Sequence, residues 1–381
     1  IPLLIGSAWG AGADSHLEWN VNLIKEIARE KGLSFKAAII SSQIAPETVL
    51  TSFEAGKLKA MPPAPAPTEQ NIKQSANIVA QMGEEPFIAA LESGAQVIIA
   101  GRAYDPAVFA APAISAGFNP GLALHMGKIL ECAAIAALPG SGSDCMFGIL
   151  REDHFELMTL NPARKCTITS VAAHTLYEKS NPTRLPGPGG VLDLSETTFE
   201  QNGDAVIVRG SRFIPDEGVG YIKLEAAKLA GYRTLSFAAA ADPIMISQMD
   251  EIVKEVKERV STNFKDIGEF YLDFKVYGAN GAAFYSLTSD LCHLNEVAII
   301  IEAIAKTPEL SATICSFARS TLLHFGYSGR KSTAGNLAFP FSPSDFAGGA
   351  VYEFSLYCLM EARKDLFPIK IYDCKEGAWN D

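Results

Sequence analysis

Apolar runs alternate with helical segments along the first third of the chain. Residues 3–5, 35–41 and 96–100 are short apolar runs, and we predict that each is a buried strand. Between these runs, apolar residues recur with the spacing of amphipathic helices. Strands that alternate with helices are typical of a parallel sheet with helices on its faces. The fold class is therefore predicted to be α/β, with a parallel α/β ligand-binding domain over residues 1–138.

The pattern changes near residue 139, where a loop rich in glycine and serine begins. Shorter strands follow, and Asn202-Gly203 lies between two apolar runs, which indicates a tight hairpin. We therefore predict an α+β domain with antiparallel strands over residues 139–381. Within it we predict strand pairs at 222–229 with 233–238 and at 313–325 with 351–360, and helices at 294–306 and after Asp242-Pro243.

A glycine-rich loop joins the first strand to the first helix. Gly10 and Gly12 allow the backbone to turn sharply or to approach a ligand closely. Ser15 is predicted to cap the helix, so that a ligand anion could lie at the helix start. Asp14 would repel a phosphate there, and the glycines do not follow the dinucleotide-binding pattern. A purely structural turn therefore stays open beside a substrate-binding loop with Ser7, Gly10, Gly12 and Asp14.

A second loop follows the strand at 96–100 and carries Arg102 and Asp105. In open α/β sheets, ligands bind beyond the carboxyl ends of the strands. Arg102 could hold a substrate carboxylate through two parallel hydrogen bonds from its guanidinium group. Alternatively, Asp105 only caps the next helix, and Arg102 pairs with it.

Three further residues have side chains suited to acid–base chemistry. Lys128 and Glu131 stand three residues apart on an apolar helix, and His174 lies inside another apolar segment. If Lys128 and Glu131 are buried in one cleft, they form an acid–base pair, whereas a solvated surface pair is the alternative. A histidine in such a helix is often only a hydrogen-bonded core residue. Arg212 offers another cation for a carboxylate, or simply a charge on a surface strand.

Composition narrows the classes of partner. The 381 residues are 48% hydrophobic and 20% charged, with a net charge of −11. An acidic chain of this kind argues against nucleic acid as a partner. No apolar run is long enough to span a membrane, and no signal peptide is visible. The seven cysteines include no C-x-x-C pair, which favours reduced thiols and a cytoplasmic location.

Several motifs, taken in order and spacing, resemble one family. They are VIIAGRAYD at 97–105, GKILEC at 127–132, and SVAAHTLYE at 170–178 with Asn181-Pro182. Together they resemble the acyclic terpene utilisation protein A family, and REDH at 151–154 with LAFPFSP at 337–343 resembles one of its branches. Members usually carry an upstream segment rich in Gly, Asp and Ser. Because Ile1 begins directly before a core strand, we expect that an upstream segment is missing here.

The resemblance implies branched terpenoid acids as the type of substrate, and it assigns no catalytic residues. The residues themselves favour an enzyme acting on a small or branched carboxylic acid or its CoA thioester, of lyase, hydratase or isomerase type. Arg102 would hold the acid, and Glu131, Lys128 or His174 would take a proton. Asp105 completes the predicted catalytic set. No metal and no cofactor is expected, apart from CoA as part of a thioester substrate. The alternative is a non-catalytic subunit that binds a metabolite or a partner protein.

Several phenylalanines near the C-terminus stand next to Gly and Pro, which indicates a protein–protein interface. They are Phe339, Phe341, Phe346 and Phe354. Apolar side chains poorly placed for their own core often mark an interface. We therefore predict a homodimer, with a small partner subunit as the alternative. These rings could also fold back over the neighbouring strands.

Overall fold

A computed structural model describes residues 1–177, 181–278, 296–331, 335–363 and 365–380. The strands are β1 Leu3–Ile5, β2 Phe35–Ile40, β3 Leu58–Ala60, β4 Ser75–Ala80, β5 Val97–Ala100, β6 Met146–Leu150, β7 His154–Thr159, β8 Arg184–Gly187, β9 Gly190–Asp193, β10 Thr198–Asn202, β11 Ala205–Arg209, β12 Arg212–Pro215, β13 Tyr221–Ala240, β14 Tyr271–Tyr277, β15 Val297–Ala305, β16 Asp345–Glu361, β17 Ile369–Lys375 and β18 Ala378–Asn380. The helices are α1 Asp14–Lys31, α2 Pro46–Glu54, α3 Glu69–Gln74, α4 Glu85–Glu92, α5 Asp105–Ser115, α6 Pro120–Leu130, a short 3-10 helix at Ala133–Ala136, α7 Ile168–Thr175, α8 Pro243–Ser247, α9 Met249–Asn263 and α10 Pro308–Leu323.

The chain forms two compact units. The first consists of Ile1–Ala227 and Phe354–Asp381, and the second is Lys228–Glu353. The long strands β13 and β16 each contribute residues to both units. The predicted domain boundary at residue 138 falls inside the first unit. A division of this unit into two domains at that residue stays a prediction.

A parallel sheet begins the first unit. Its strand order is β1-β5-β2-β17-β18, and β5 pairs in parallel with β1 on one side and β2 on the other. Ile98, Ile99 and Ala100 of β5 are fully buried, as expected for a central parallel strand. The two C-terminal strands add an antiparallel edge, with Ile369 opposite Ile40. The predicted mixed α/β fold is confirmed, whereas the contribution of β17 and β18 to this sheet was not predicted.

Helix α6 is buried because helix α5 and antiparallel strands pack around it. Leu122 and Ile129 pack into a core formed mainly by the sheet β10-β11-β7-β6. Ala123 and Leu124 pack into a second core that includes Leu185 and residues of the sheet β12-β9-β8. The predicted hairpin at Asn202-Gly203 connects β10 to β11. The polar side chains of α6 are consequently drawn into the protein interior.

In the second unit, a sheet packs against two helices. Strand β15 pairs antiparallel with both β13 and β14, and its apolar face contacts α9 and α10. Phe339 is partly buried against this core. Phe341 is 58% exposed, and its ring centre lies 5.6 Å from that of Phe346. The homodimer and the small partner subunit stay predictions.

Two predicted elements of this unit have the wrong type. Residues 297–305 form a strand instead of a helix, and 308–323 form a helix instead of a strand. A short buried apolar run fits either type, because periodicity alone does not separate them. The start of α10 is encoded locally, since the Thr307 hydroxyl accepts a hydrogen bond from the Leu310 N–H at 3.2 Å, and Pro308 opens the helix.

Three finer predictions also differ from the structure. The segments 222–229 and 233–238 are one continuous strand, because no turn forms between them and β15 pairs with 232–240. Helix α1 follows Ala13 and includes Ser15, so Ser15 is not its cap. Helix α5 follows Tyr104 and begins at Asp105. Among the described residues, no helix is both long and apolar enough to cross a membrane.

Candidate functional site

The two loops predicted to bind a ligand lie next to each other. Because β1 and β5 are parallel neighbours, the loops that follow them meet at the same edge of the sheet. The Ser7 hydroxyl donates a hydrogen bond to Asp105 Oδ1 at 2.9 Å. It also accepts one from the Ala103 N–H at 3.2 Å. The structure therefore brings the predicted residues Ser7 and Asp105 together, and Asp105 binds a hydroxyl group instead of capping its helix.

Gly12 lies against the main chain of Arg102, with Ser42 between the two loops. The buried Ser42 hydroxyl donates to the Gly12 carbonyl at 3.0 Å and accepts from the Arg102 N–H at 2.6 Å. A Cβ atom on Gly12 would lie 2.2 Å from the Arg102 nitrogen, and its φ of +69° disfavours other residues. Close packing at Gly12 thus holds the two loops together. Ser42 was not predicted as a site residue, because it belongs to no sequence motif.

Replacing Gly12 with alanine is expected to destabilise the protein by about 2 kcal/mol more than replacing Gly10. Both glycines have a positive φ, +89° at Gly10 and +69° at Gly12, but nothing lies within 4 Å of a Cβ on Gly10. Urea unfolding of G12A and G10A measures the difference. Equal stability of the two variants would contradict the close approach.

Protein groups occupy the start of helix α1. The Ser41 hydroxyl donates to Asp14 Oδ1 at 2.5 Å, and the Asp14 N–H donates to Gln43 Oε1 at 3.0 Å. Ser41 and Gln43 follow β2, the third parallel strand at this edge. Asp14 is therefore part of the polar edge of the sheet, with its carboxylate and its N–H both bound by side chains.

Arg102 pairs with Glu225 of β13. Its Nε lies 3.0 Å from Glu225 Oε2 in an ion pair, and Nη1 donates to the Gly10 carbonyl at 3.4 Å. Lys223 Nζ lies 2.6 Å from the other Glu225 oxygen. Two cations thus share one carboxylate at the carboxyl edge of the sheet, where the carboxylates of Asp14 and Asp105 also lie. Lys223 and Glu225 were not predicted, because alternating charges on a strand are also typical of a solvated surface.

A second group of polar residues lies at the end of α6. The Lys128 and Glu131 side chains, 2% and 12% exposed, form an ion pair. Lys128 Nζ lies 5.5 Å from the ring centre of Tyr177. His174 stacks on Tyr177, with ring centres 5.2 Å apart and planes inclined by 10°. We call Lys128, Glu131, His174 and Tyr177 the helix-end cluster.

His174 is the member of the helix-end cluster with a free nitrogen. Its side chain is buried, and Nε2 has no hydrogen-bond partner within the described part of the chain. Burial, and secondly the charge of Lys128, lower the pKa of His174. The imidazole is therefore neutral near pH 7, and one of its two ring nitrogens is unprotonated and available as a base.

Tyr104 connects the two groups electrostatically. Burial raises the pKa of its hydroxyl, and the charges of Glu131, Glu84 and Asp105 raise it further. The Tyr104 hydroxyl consequently keeps its proton. Neither Tyr104 nor Glu84 was predicted as a site residue, since Glu84 stands in an acidic pair before Pro86, which is the usual composition of a helix start.

Two histidines and Arg212 have other surroundings. His125 is fully buried between the hydroxyls of Ser211, 2.7 Å from Nδ1, and Thr175, 3.0 Å from Nε2, and burial lowers its pKa to about 3. His154 contacts the exposed Asp153 at 2.6 Å. Arg212 lies on β12 and packs its main chain against Gly121 at the start of α6. Arg212 pairs with Asp193 of the neighbouring strand β9 and acts electrostatically on its carboxylate.

A family match covers part of both groups. Residues 13–139 match the model of the acyclic terpene utilisation family protein AtuA. This match confirms the family resemblance over about one third of the chain, a segment that contains Asp14, Arg102, Asp105, Lys128 and Glu131. His174, Ser7 and Arg212 lie outside it. No curated protein and no solved structure matches this chain.

Proposed function

We propose that the protein is an enzyme that transfers a proton at the carbon next to the carboxyl or thioester carbonyl of a small or branched acid. The reaction class is a lyase, a hydratase or an isomerase. The observation that carries the proposal is the buried Nε2 of His174, which has no hydrogen-bond partner among the described residues and lies in one cluster with the Lys128–Glu131 pair. A neutral imidazole is suited to take a proton from carbon.

The cations of the two groups support this chemistry. Removal of a proton next to a carbonyl places negative charge on the carbonyl oxygen, and an ammonium in a dry site stabilises that charge. Lys128 supplies such an ammonium, and its contact with Glu131 fixes its position. Arg102 and Lys223, which both contact Glu225, are the cations that would bind the carboxylate of an acid or the phosphates of CoA. Asp105 orients the Ser7 hydroxyl toward the same edge.

The alternative function is a non-catalytic subunit that binds a metabolite or a partner protein. The bonds of Asp14 to Ser41 and Gln43 favour it, because they satisfy the start of α1 without a ligand. The exposed ring of Phe341 favours a partner protein. A binding subunit would bind acids without exchanging their protons, so a single experiment separates the two functions.

The wild-type protein is expected to exchange the α-protons of an acid for deuterium, and His174→Gln is expected to slow this exchange on the order of 100-fold. A thermal-shift screen of short and branched acids, with and without CoA, first selects ligands that raise the melting temperature. Proton NMR in D2O then follows the α-protons of those ligands.

His154→Gln is the matched control, since the ring of His154 lies on β7 and contacts the exposed Asp153. It is expected to leave exchange unchanged. Binding without any α-proton exchange in the wild-type protein would favour the non-catalytic subunit. Equal losses in the two variants would exclude His174 as the base.

A further inference from the structure

Glu84 is a buried acid of the first unit. The residue is 9% exposed, and Oε2 is inaccessible to solvent and has no hydrogen-bond partner among the described residues. A buried carboxyl oxygen that receives no hydrogen bond is costly for a protein, so its presence here needs a reason. Glu84 stands directly before α4.

Backbone pairing places Glu84 beside Tyr104. The Met82 N–H donates to the Arg102 carbonyl at 3.1 Å, and the Tyr104 N–H donates to the Met82 carbonyl at 2.8 Å. The chain before Glu84 therefore runs parallel to the chain before Asp105, with Met82 paired to Ala103. Glu84 also acts electrostatically on the Tyr104 hydroxyl, as Glu131 of the helix-end cluster does. Glu84 and Glu131 of the helix-end cluster thus both act on Tyr104.

The turn between β8 and β9 packs against Tyr104 and against Gly83, the residue before Glu84. A Cβ on Gly187 would lie 3.0 Å from Tyr104 Cε1, and a Cβ on Gly83 would lie 3.0 Å from Pro188 Cβ. The absence of side chains at Gly187 and Gly83 allows this close approach. Burial, and secondly the charge of Glu85, raise the pKa of Glu84 to about 7. Glu84 therefore holds a proton near neutral pH that it can give away.

We propose that Glu84 is the general acid of the site and protonates a leaving hydroxyl group, so that the substrates are 3-hydroxy acids or their thioesters. The proposal rests on the proposed function and selects hydration and dehydration from its reaction classes. A hydroxyl group leaves readily only as water, which requires a proton donor. A double-bond shift needs no such second donor, because one base can return the proton that it took.

The step balances in atoms and electrons. His174 Nε2 takes the proton from carbon 2, and the electron pair of that C–H bond forms the double bond between carbons 2 and 3. The C3–O bond breaks toward oxygen, which takes the proton of Glu84 and leaves as water. The imidazolium of His174 then releases its proton to solvent, and the Glu84 carboxylate takes one from solvent. Hydration is the reverse sequence.

Glu84→Gln is expected to reduce dehydration on the order of 100-fold, in kcat and not in KM, while α-proton exchange stays within about two-fold of the wild type. The probes are 3-hydroxybutyrate, 3-hydroxy-3-methylbutyrate and their CoA thioesters for dehydration. Butyrate, isovalerate and their CoA thioesters, which lack the hydroxyl, report exchange alone. Absorbance of the unsaturated product follows dehydration, and NMR in D2O follows exchange.

Glu85→Gln is the control, because Glu85 is the exposed neighbour whose charge acts on Glu84. Wild-type dehydration is expected to fall as the pH rises through about 7, where Glu84 loses its proton. In E85Q this fall moves to lower pH, since a repelling charge is gone, while the rate at low pH is kept. Tyr104 beside Glu84, and the Asp105 and Glu131 charges that act on Tyr104, are unchanged in E85Q.

Five outcomes would overturn the proposal. If E84Q loses exchange and dehydration equally, the substitution has damaged the whole site and has not removed only a proton donor. If E84Q dehydrates the probes at the wild-type rate, Glu84 is not the proton donor. A wild-type protein that exchanges α-protons but dehydrates no probe keeps the proposed function and refutes the substrate class. A wild-type protein that does neither refutes the proposed function itself. If E84Q does not fold, Glu84→Asp replaces it as the test variant, because it keeps a carboxyl group. Glu84→Asp is expected to retain part of the dehydration activity. A complete loss of dehydration in this variant, with α-proton exchange intact, would contradict the proposal.

Discussion

Replacing Lys128 with methionine is expected to lower the free energy of unfolding by about 3–5 kcal/mol, the range for breaking a buried ion pair on one side. Methionine has a similar length and is apolar, so it fills the space that Lys128 occupies. The loss comes from Glu131, whose side chain is only 12% exposed and which would keep its charge without the ammonium. Urea unfolding of the two proteins at pH 7 measures this loss.

The double variant K128M/E131Q identifies the cause of that loss. Glutamine at residue 131 has no charge, so the double variant is expected to be more stable than K128M alone. This recovery is the sign of coupling in a double-mutant cycle. A loss below about 1 kcal/mol for K128M would mean that the pair contributes as little as a surface salt bridge. Additive losses in the cycle would mean that the two side chains do not interact.

Stability is expected to fall as the pH rises from 4.5 to about 7, through the buried carboxyl group of Glu84. The pKa of Glu84 is raised in the folded protein, so the folded state binds a proton more tightly than the unfolded state does. The stabilisation that this raised pKa provides is fully present below pH 4.5 and is lost as the pH rises through about 7. This difference in pKa between the folded and unfolded states corresponds to at most about 3 kcal/mol in the free energy of unfolding.

Glu84→Gln is therefore expected to be as stable as the wild type at pH 4.5 and more stable at pH 8. Urea unfolding of both proteins at the two pH values gives the comparison. Other titrating groups, His174 among them, affect both proteins equally and cancel in the difference between them. A difference that does not change with pH would mean that Glu84 has an ordinary pKa. The same variant is expected to lose dehydration, so stability and activity would change in opposite directions.

The edge of the parallel sheet is the part of the site that the sequence encodes locally. Apolar runs of the right length identify β1 and β5, and the rule for open α/β sheets places their loops at one edge. The contact between Ser7 and Asp105 follows from that arrangement. The partner of Arg102 does not follow, because Glu225 lies 123 positions further along the chain, on a strand whose register depends on the whole fold.

Burial of charged residues is what the sequence could not reveal. Lys128 and Glu131 have the same spacing as a solvated pair, and only the packing of helix α5 and of the antiparallel strands around α6 decides that they are inside. Glu84 has no pattern of its own that would indicate its burial. Local patterns also failed for β15 and α10, where burial on several sides removes the contrast between apolar and polar positions.

The order of strands in the parallel sheet has a consequence for synthesis on the ribosome. Strand β2 receives its antiparallel neighbour β17 only from residues 369–375, although β2 itself ends at Ile40. At typical translation rates, the intervening residues take on the order of tens of seconds to emerge. During that interval the nascent chain carries an open strand edge with unpaired backbone groups, which invites association with other chains. The sheet is completed only late in translation, so protection of this edge by chaperones would favour a high yield of native protein.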